Sequence, residues 1–157
     1  MNMKRKYVLK PLRSLSIAIL VSLPGLAHAT GPVIEILTTE GCSCCIGWAR
    51  HLQGEGYTTD VRKLPSSELQ QRKLQLGVRQ DLASCHTGLI GGYVVEGHVP
   101  AREIARLLSE RPDAVGLAVP DMPVGSPGMG EGSADAEPYD VLLLRKDGTT
   151  QVFASYR

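Results

Sequence analysis

The sequence predicts an α/β domain that follows a short export leader. Three observations carry this. A β-branched run, Val33–Leu37, leads through a turn into a helix whose first residues are cysteines. Gly91-Gly92 joins two short apolar strands just ahead of another helix. Lys146-Asp147-Gly148 joins two more strands near the C-terminal end.

The leader comes first. Lys4, Arg5, Lys6, Lys10 and Arg13 form a basic stretch with no acid, Leu15 to Leu23 is apolar, and Ala27-His28-Ala29 has the small-x-small pattern of a cleavage site. The apolar run is shorter than the roughly 20 residues needed to span a bilayer. A secretory signal at 1–29, cleaved after Ala29, is the expected reading. The alternative is an uncleaved anchor. Cleavage leaves one domain, residues 30–157, in the periplasm. The leader holds five of the 17 basic residues and none of the 16 acidic ones, so the mature chain is mildly acidic at a formal −4. That argues against nucleic acid, or a membrane after cleavage, as a partner.

The elements follow in order. Val33–Leu37 reads as a buried strand. Thr38 to Gly41 turn, and a helix starts at or near Cys42, where Gly41 allows close backbone approach. Cys45, Trp48, Ala49 and Leu52 give it one apolar face, and Gly54 and Gly56 end it. Tyr57–Leu64 is a second strand stopped by Pro65. Ser67-Glu68-Leu69-Gln70 has capping-box spacing and opens a helix that closes at Gly77. Thr87–Ile90 and Tyr93–Glu96 form a hairpin about Gly91-Gly92. Pro100 at the first helical position starts a third helix, with Ala101, Ile104, Ala105 and Leu108 on its apolar face. Prolines and glycines without period make residues 111–138 an irregular loop. Tyr139–Leu144 and Thr150–Tyr156 close the chain as a hairpin. The order β-α-β-α-β-β-α, with cysteines in the first turn of the first helix, is that of a thioredoxin-like three-layer fold. A Pro/Gly-rich loop and a C-terminal β-hairpin extend it. In such a fold the loop that enters the third strand faces the first helix, so Cys85-His86 should meet the cysteine run.

The chemistry concentrates in that run, Gly41-Cys42-Ser43-Cys44-Cys45. A domain of this size buries a core without cross-links, so the thiols are free for chemistry. Cys42 and Cys45 share a helix face or first turn. Unpaired N–H groups and the helix dipole favour thiolate there, which suits both metal binding and disulfide exchange. Cys44 shifts the balance. A third thiol inside C-x-x-C would scramble a redox pair, but it adds a soft ligand of the kind that selects Cu(I), Zn(II) or iron–sulfur. The plainer reading of Cys44 is a small buried hydrophobe. Export adds an argument, because thiols kept reduced in an oxidising compartment are well explained by bound metal. Cys85 and His86 would complete the metal site, although Cys85 also suits a resolving thiol. Met122 and Met129 share the irregular loop, either as thioether ligands covering a Cu(I) site or as loop anchors. His98 reads as a satisfied turn histidine and His51 as a surface residue. Trp48 and Phe153 read as core. No Ser/His/Asp set, paired-carboxylate site or phosphate-binding glycine loop stands out, so nothing in the sequence supports hydrolysis or phosphoryl transfer.

Several segments together resemble one bacterial family. They are Gly41–Cys45 with Trp48, Ser84-Cys85-His86-Thr87, Gly92–Pro100, Gly116–Pro120 and Met122–Met129. The family was first classed as a domain of unknown function. It is metal-binding and thioredoxin-like, and it includes periplasmic copper-resistance proteins. The resemblance covers nearly the whole mature chain and implies copper handling by Cys42, Cys44, Cys45, Cys85 and His86. The expected cofactor is copper, as Cu(I), with zinc second. The expected partners are copper ions and other periplasmic copper-handling proteins. Two alternatives remain: a periplasmic thiol–disulfide oxidoreductase using Cys42 and Cys45, and a structural zinc module. The zinc module is disfavoured because the cysteines do not form two separated pairs.

Overall fold

The computed structural model describes residues 32–157, so the leader predicted at 1–29 lies outside the described residues. The strands are β1 (Val33–Thr38), β2 (Thr58–Lys63), β3 (Thr87–Ile90), β4 (Tyr93–Glu96), β5 (Gly116–Ala118), β6 (Tyr139–Leu144) and β7 (Thr150–Tyr156). The helices are α1 (Ser43–Gly54), α2 (Ser66–Gln75) and α3 (Ala101–Glu110), with a 3-10 turn at Gln80–Leu82. Apart from β5 and the 3-10 turn, they follow in the order the sequence predicts. One sheet contains all seven strands in the order β2-β1-β3-β4-β5-β6-β7. β1 lies parallel to β2 and β4 parallel to β5, and the other neighbours are antiparallel. This is an α/β thioredoxin-like fold whose sheet is extended beyond β4.

Alternation along the strands makes two cores, one per sheet face. Ile34, Ile36, Val95, Leu117 and Val141 face α1 and α3, where Trp48, Leu52, Ile104 and Leu107 meet them. Val94, Ala118 and Leu144 face the opposite way, toward Val78 and Leu82. Each large apolar side chain buried this completely contributes roughly 1.5–3 kcal/mol. The Trp48 indole N–H donates to the Val99 carbonyl at 2.8 Å, so its one polar atom is satisfied inside the core.

Several local expectations need correction. Residues 111–138 are not wholly irregular: Gly116–Ala118 form β5, which links the terminal strands to the central sheet. Three residues are too few to show a period. The Ser67 box forms no side-chain cap; α2 starts behind Pro65. Pro100 precedes α3 rather than opening it, and the buried face of α3 is Ala101, Glu103, Ile104 and Leu107. Glu103 can turn inward because Arg102 and the Tyr156 hydroxyl both bond its carboxylate. That rotation leaves Ala105 exposed. Phe153 is only half-buried, with the Arg106 guanidinium 3.8 Å over its ring. Gly41 meets no close neighbour; it is required by its φ of +73°.

Candidate metal centre

Cys42 caps the N-terminus of α1, with Cys44 and Cys45 in the first turn. That turn carries the unpaired N–H groups and the positive dipole end of the helix. β1 pairs antiparallel with β3, which carries the β3 entry loop to the same end of the sheet. The predicted meeting occurs: Cys44 Sγ stands 3.5 Å from Cys85 Sγ and 3.5 Å from Cys42 Sγ. The four cysteine sulfurs all lie within 4.8 Å of one another.

Cys42 and Cys45 are joined as a disulfide, while Cys44 and Cys85 are free thiols. Bound metal is one expected way of keeping the thiols reduced, and the bridged pair is the one the alternative redox reading uses. One helical turn sets the Cα atoms of Cys42 and Cys45 5.4 Å apart, well within bridging range. The Cys44 sulfur is equally close to Cys42 of the bridge and to the free Cys85.

Cys85 is the hinge of the centre. His86 Nδ1 and His98 Nε2 each stand 3.2 Å from its sulfur. Both imidazoles are fully buried. His98 is therefore part of the centre and not a plain turn histidine. Its Nδ1–H donates to the Pro127 carbonyl at 2.8 Å, which leaves Nε2 without a proton and facing sulfur. His86 Nε2 is buried with no hydrogen-bond partner. Burial first, then the His98 and Lys73 charges, holds the His86 pKa well below the ordinary histidine range. Burial likewise lowers that of His98. Both rings are neutral at pH 7 and have a lone pair to give. Burial pushes the Cys85 thiol up to about 12, helped by the hydrogen bond to Cys44. A soft cation there has to displace a proton.

The loop after β5 closes the outer side. Asp121 takes a left-handed φ of 59°, and its carbonyl accepts the Ser84 hydroxyl. Met122 follows; its sulfur is 4.0 Å from Cys44 Sγ and the residue is 48% exposed. Met129 is held through its backbone, by Gly125 N–H to its carbonyl and its own N–H to Ser126, and no thiol hydrogen-bonds its sulfur. The structure thus brings six of the seven predicted residues together: Cys42, Cys44, Cys45, Cys85, His86 and Met122. Gly128 seats the loop on α1. A Cβ there would lie 2.5 Å from Trp48 N and 2.9 Å from the Cys44 carbonyl. His51 is half-buried; its Nε2 accepts the Ala101 N–H and its Nδ1 pairs with Glu131.

The donor set fits a soft metal ion. With the Cys42–Cys45 bridge reduced, four thiols, two neutral imidazoles and a thioether suit a soft ion such as copper far better than a hard cation. A signal for His98 was present in the sequence. Cys85 lies six residues before Gly91 and His98 six after Gly92, so a tight hairpin places them opposite each other. The observed pairing of Thr87 with Glu96 continues to Gly97 N–H on the His86 carbonyl.

A family model described as a protein of unknown function, DUF411, matches residues 82–129, the segment that supplies Cys85, His86, His98 and Met122. No match is found among curated proteins. Among solved structures, the chain is similar to a copper resistance protein, CopG, in two forms. Form 2 is 41% identical with a TM-score of 0.74, covering 81% of this chain and 99% of that one. Form 1 is 42% identical with a TM-score of 0.72, covering 79% and 96%. With two-fifths of its residues shared along almost the whole length of that protein, this chain belongs to the copper-resistance family of CopG.

Proposed function

We propose that the chain is exported to the periplasm, loses its leader after Ala29, and binds Cu(I) through Cys42, Cys44, Cys45 and Cys85. His86 and His98 coordinate the copper or stand directly beside it, and Met122 forms the solvent edge. The role is to sequester copper, hand it on, or cycle its oxidation state during copper stress. One observation carries the reading: four sulfurs within 4.8 Å of one another, drawn from two segments 41 residues apart. In the disulfide form only Cys44 and Cys85 are thiols. Two electrons and two protons convert Cys42–Cys45 into two more, so the reduced protein is the binding form. Anaerobic titration of reduced protein with Cu(I) against a competing chelator tests this. Affinity no higher than that of a Cys44→Ser variant would defeat it. Metal analysis of protein from copper-replete cells separates copper from zinc.

The Cys42–Cys45 disulfide itself favours a second reading, a thiol–disulfide oxidoreductase. Cys42 is the more accessible sulfur and Cys45 is buried, the asymmetry expected of an attacked and a leaving thiol. Strong insulin reduction that survives Cys44→Ser would establish it over the copper reading.

A further inference from the structure

We infer that Lys73 and Glu96 are positioning residues that clamp the Cys85-His86 dipeptide from both sides. The copper measurement below rests on the proposed copper function, whereas the measurement on metal-free protein does not. Glu96 ends β4 and is fully buried; Lys73, on α2, has a side chain only 4% exposed. The two form an ion pair. Glu96 Oε1 also accepts the Ser84 N–H at 2.7 Å, and Oε2 accepts the Thr87 hydroxyl at 2.6 Å. Ser84 is the residue before Cys85, and Thr87 is the residue after His86. One carboxylate therefore holds both flanks of the dipeptide. Lys73 Nζ in turn donates to the Ser84 carbonyl at 3.1 Å. That carbonyl belongs to the peptide bond leading into Cys85, so the lysine fixes the plane from which the cysteine departs.

Stability does not explain this arrangement. A buried ion pair loses in desolvation most of what it gains in attraction, and a well-packed apolar pair does as well or better. Direction does explain it. Hydrogen-bonded partners behind a metal ligand set its orientation, and losing them weakens metal binding even though no ligand is removed. Lys73 and Glu96 come from different elements, α2 and β4, and converge on a loop that has no regular secondary structure of its own. They touch neither the thiols nor the imidazoles through any hydrogen bond among the described residues.

Three variants test the clamp. Glu96→Leu removes both flanking bonds. Thr87→Val removes one with little change of shape. Lys73→Met/Glu96→Gln removes the charges while a carboxamide can still bond Ser84 and Thr87. In reduced, metal-free protein, alkylation of Cys85 relative to Cys42, followed by mass spectrometry, should rise several-fold in the first two variants and less in the third, which keeps both Glu96 flanking bonds and loses only the Lys73 bond to the Ser84 carbonyl. Cu(I) affinity should fall about 10- to 100-fold in Glu96→Leu and about 10-fold in Thr87→Val, with a shifted thiolate-to-copper charge-transfer band. Should Glu96→Leu fail to fold, Thr87→Val decides. Wild-type Cys85 reactivity in folded Thr87→Val and Glu96→Leu overturns the proposal, as does a rise in the carboxamide pair as large as in Glu96→Leu. Absence of Cu(I) binding by the wild type would defeat the copper function and leave the alkylation result standing.

Discussion

The first turn of α1 and the open end of the β3–β4 hairpin meet at Cys85, and they are built on opposite plans. On the α1 side Cys42 and Cys44 are partly exposed, one sulfur pair is already oxidised, and Met122 reaches over from solvent. On the hairpin side both imidazoles are sealed from water, the backbone before Cys85 is tied to Glu96 and Lys73, and the His98 ring is tied to the Pro127 carbonyl. The helix side can exchange electrons, protons and ligands with the surroundings. The hairpin side can only hold what is delivered to it. A site that both takes up an ion and gives it up would need each of these, and among the described residues Cys85 belongs to both groups.

Breaking the joint should cost most. Cys85→Ser removes the sulfur that bridges the two sides, and Cu(I) affinity should drop by more than about 100-fold, beyond the range of losses behind a ligand. Chelator competition measures it, and a loss under tenfold would mean the sides bind independently. Next is the seat of the outer loop. Gly128→Ala forces a Cβ against Trp48 N at a φ of +83° and should destabilise the fold by about 1–3 kcal/mol in urea unfolding. It should also loosen His98 by moving Pro127.

The hairpin side makes a prediction about pH. The folded imidazoles of His86 and His98 are held below the 6.5 of an unperturbed histidine. Above 6.5 both are neutral folded or unfolded, and their contribution is complete. Below it the unfolded chain takes up protons that the folded one refuses, so stability falls as pH falls. The urea midpoint of reduced, metal-free protein should decline from about pH 7.5 to about 5.5, and the decline should be shallower in His86→Phe. A midpoint that stays flat would show that the rings are less isolated than their burial implies. The smallest effect belongs to Met122→Leu on the open side. Equilibrium affinity should change by no more than about threefold, because a thioether at the solvent edge is a weak ligand. Transfer to a chelator should change rate instead, as stopped-flow absorbance would show.

The helix side was easy to read in the sequence. Cysteine spacing, the apolar face Cys45-Trp48-Ala49-Leu52 and the strand before it all lie within twenty residues, and local pattern is where sequence is most informative. The approach of Cys85-His86 followed from topology. The hairpin side was harder. His98 looked like a turn residue because its partners lie across the hairpin and in the loop at Pro127. Lys73 sits among polar residues of α2 and gives no sign of being buried; Glu96, 23 positions away, and the Ser84 carbonyl explain it. Polar residues buried by long-range partners leave no periodicity behind. β5 was missed for a related reason, since three residues become a strand only when β4 and β6 flank them.

The distances along the chain have one more consequence. Cys44 meets a sulfur 41 positions away and another 78 positions away. An unfolded chain presents only the local run at 42–45. The full set of donors is assembled by folding itself, once the β5–β6 loop has docked. Binding free energy at the assembled centre therefore adds to the free energy of folding. Withdrawing the ion withdraws that part of the stability, so a loaded chain and an emptied one should differ in how readily a protease can open them.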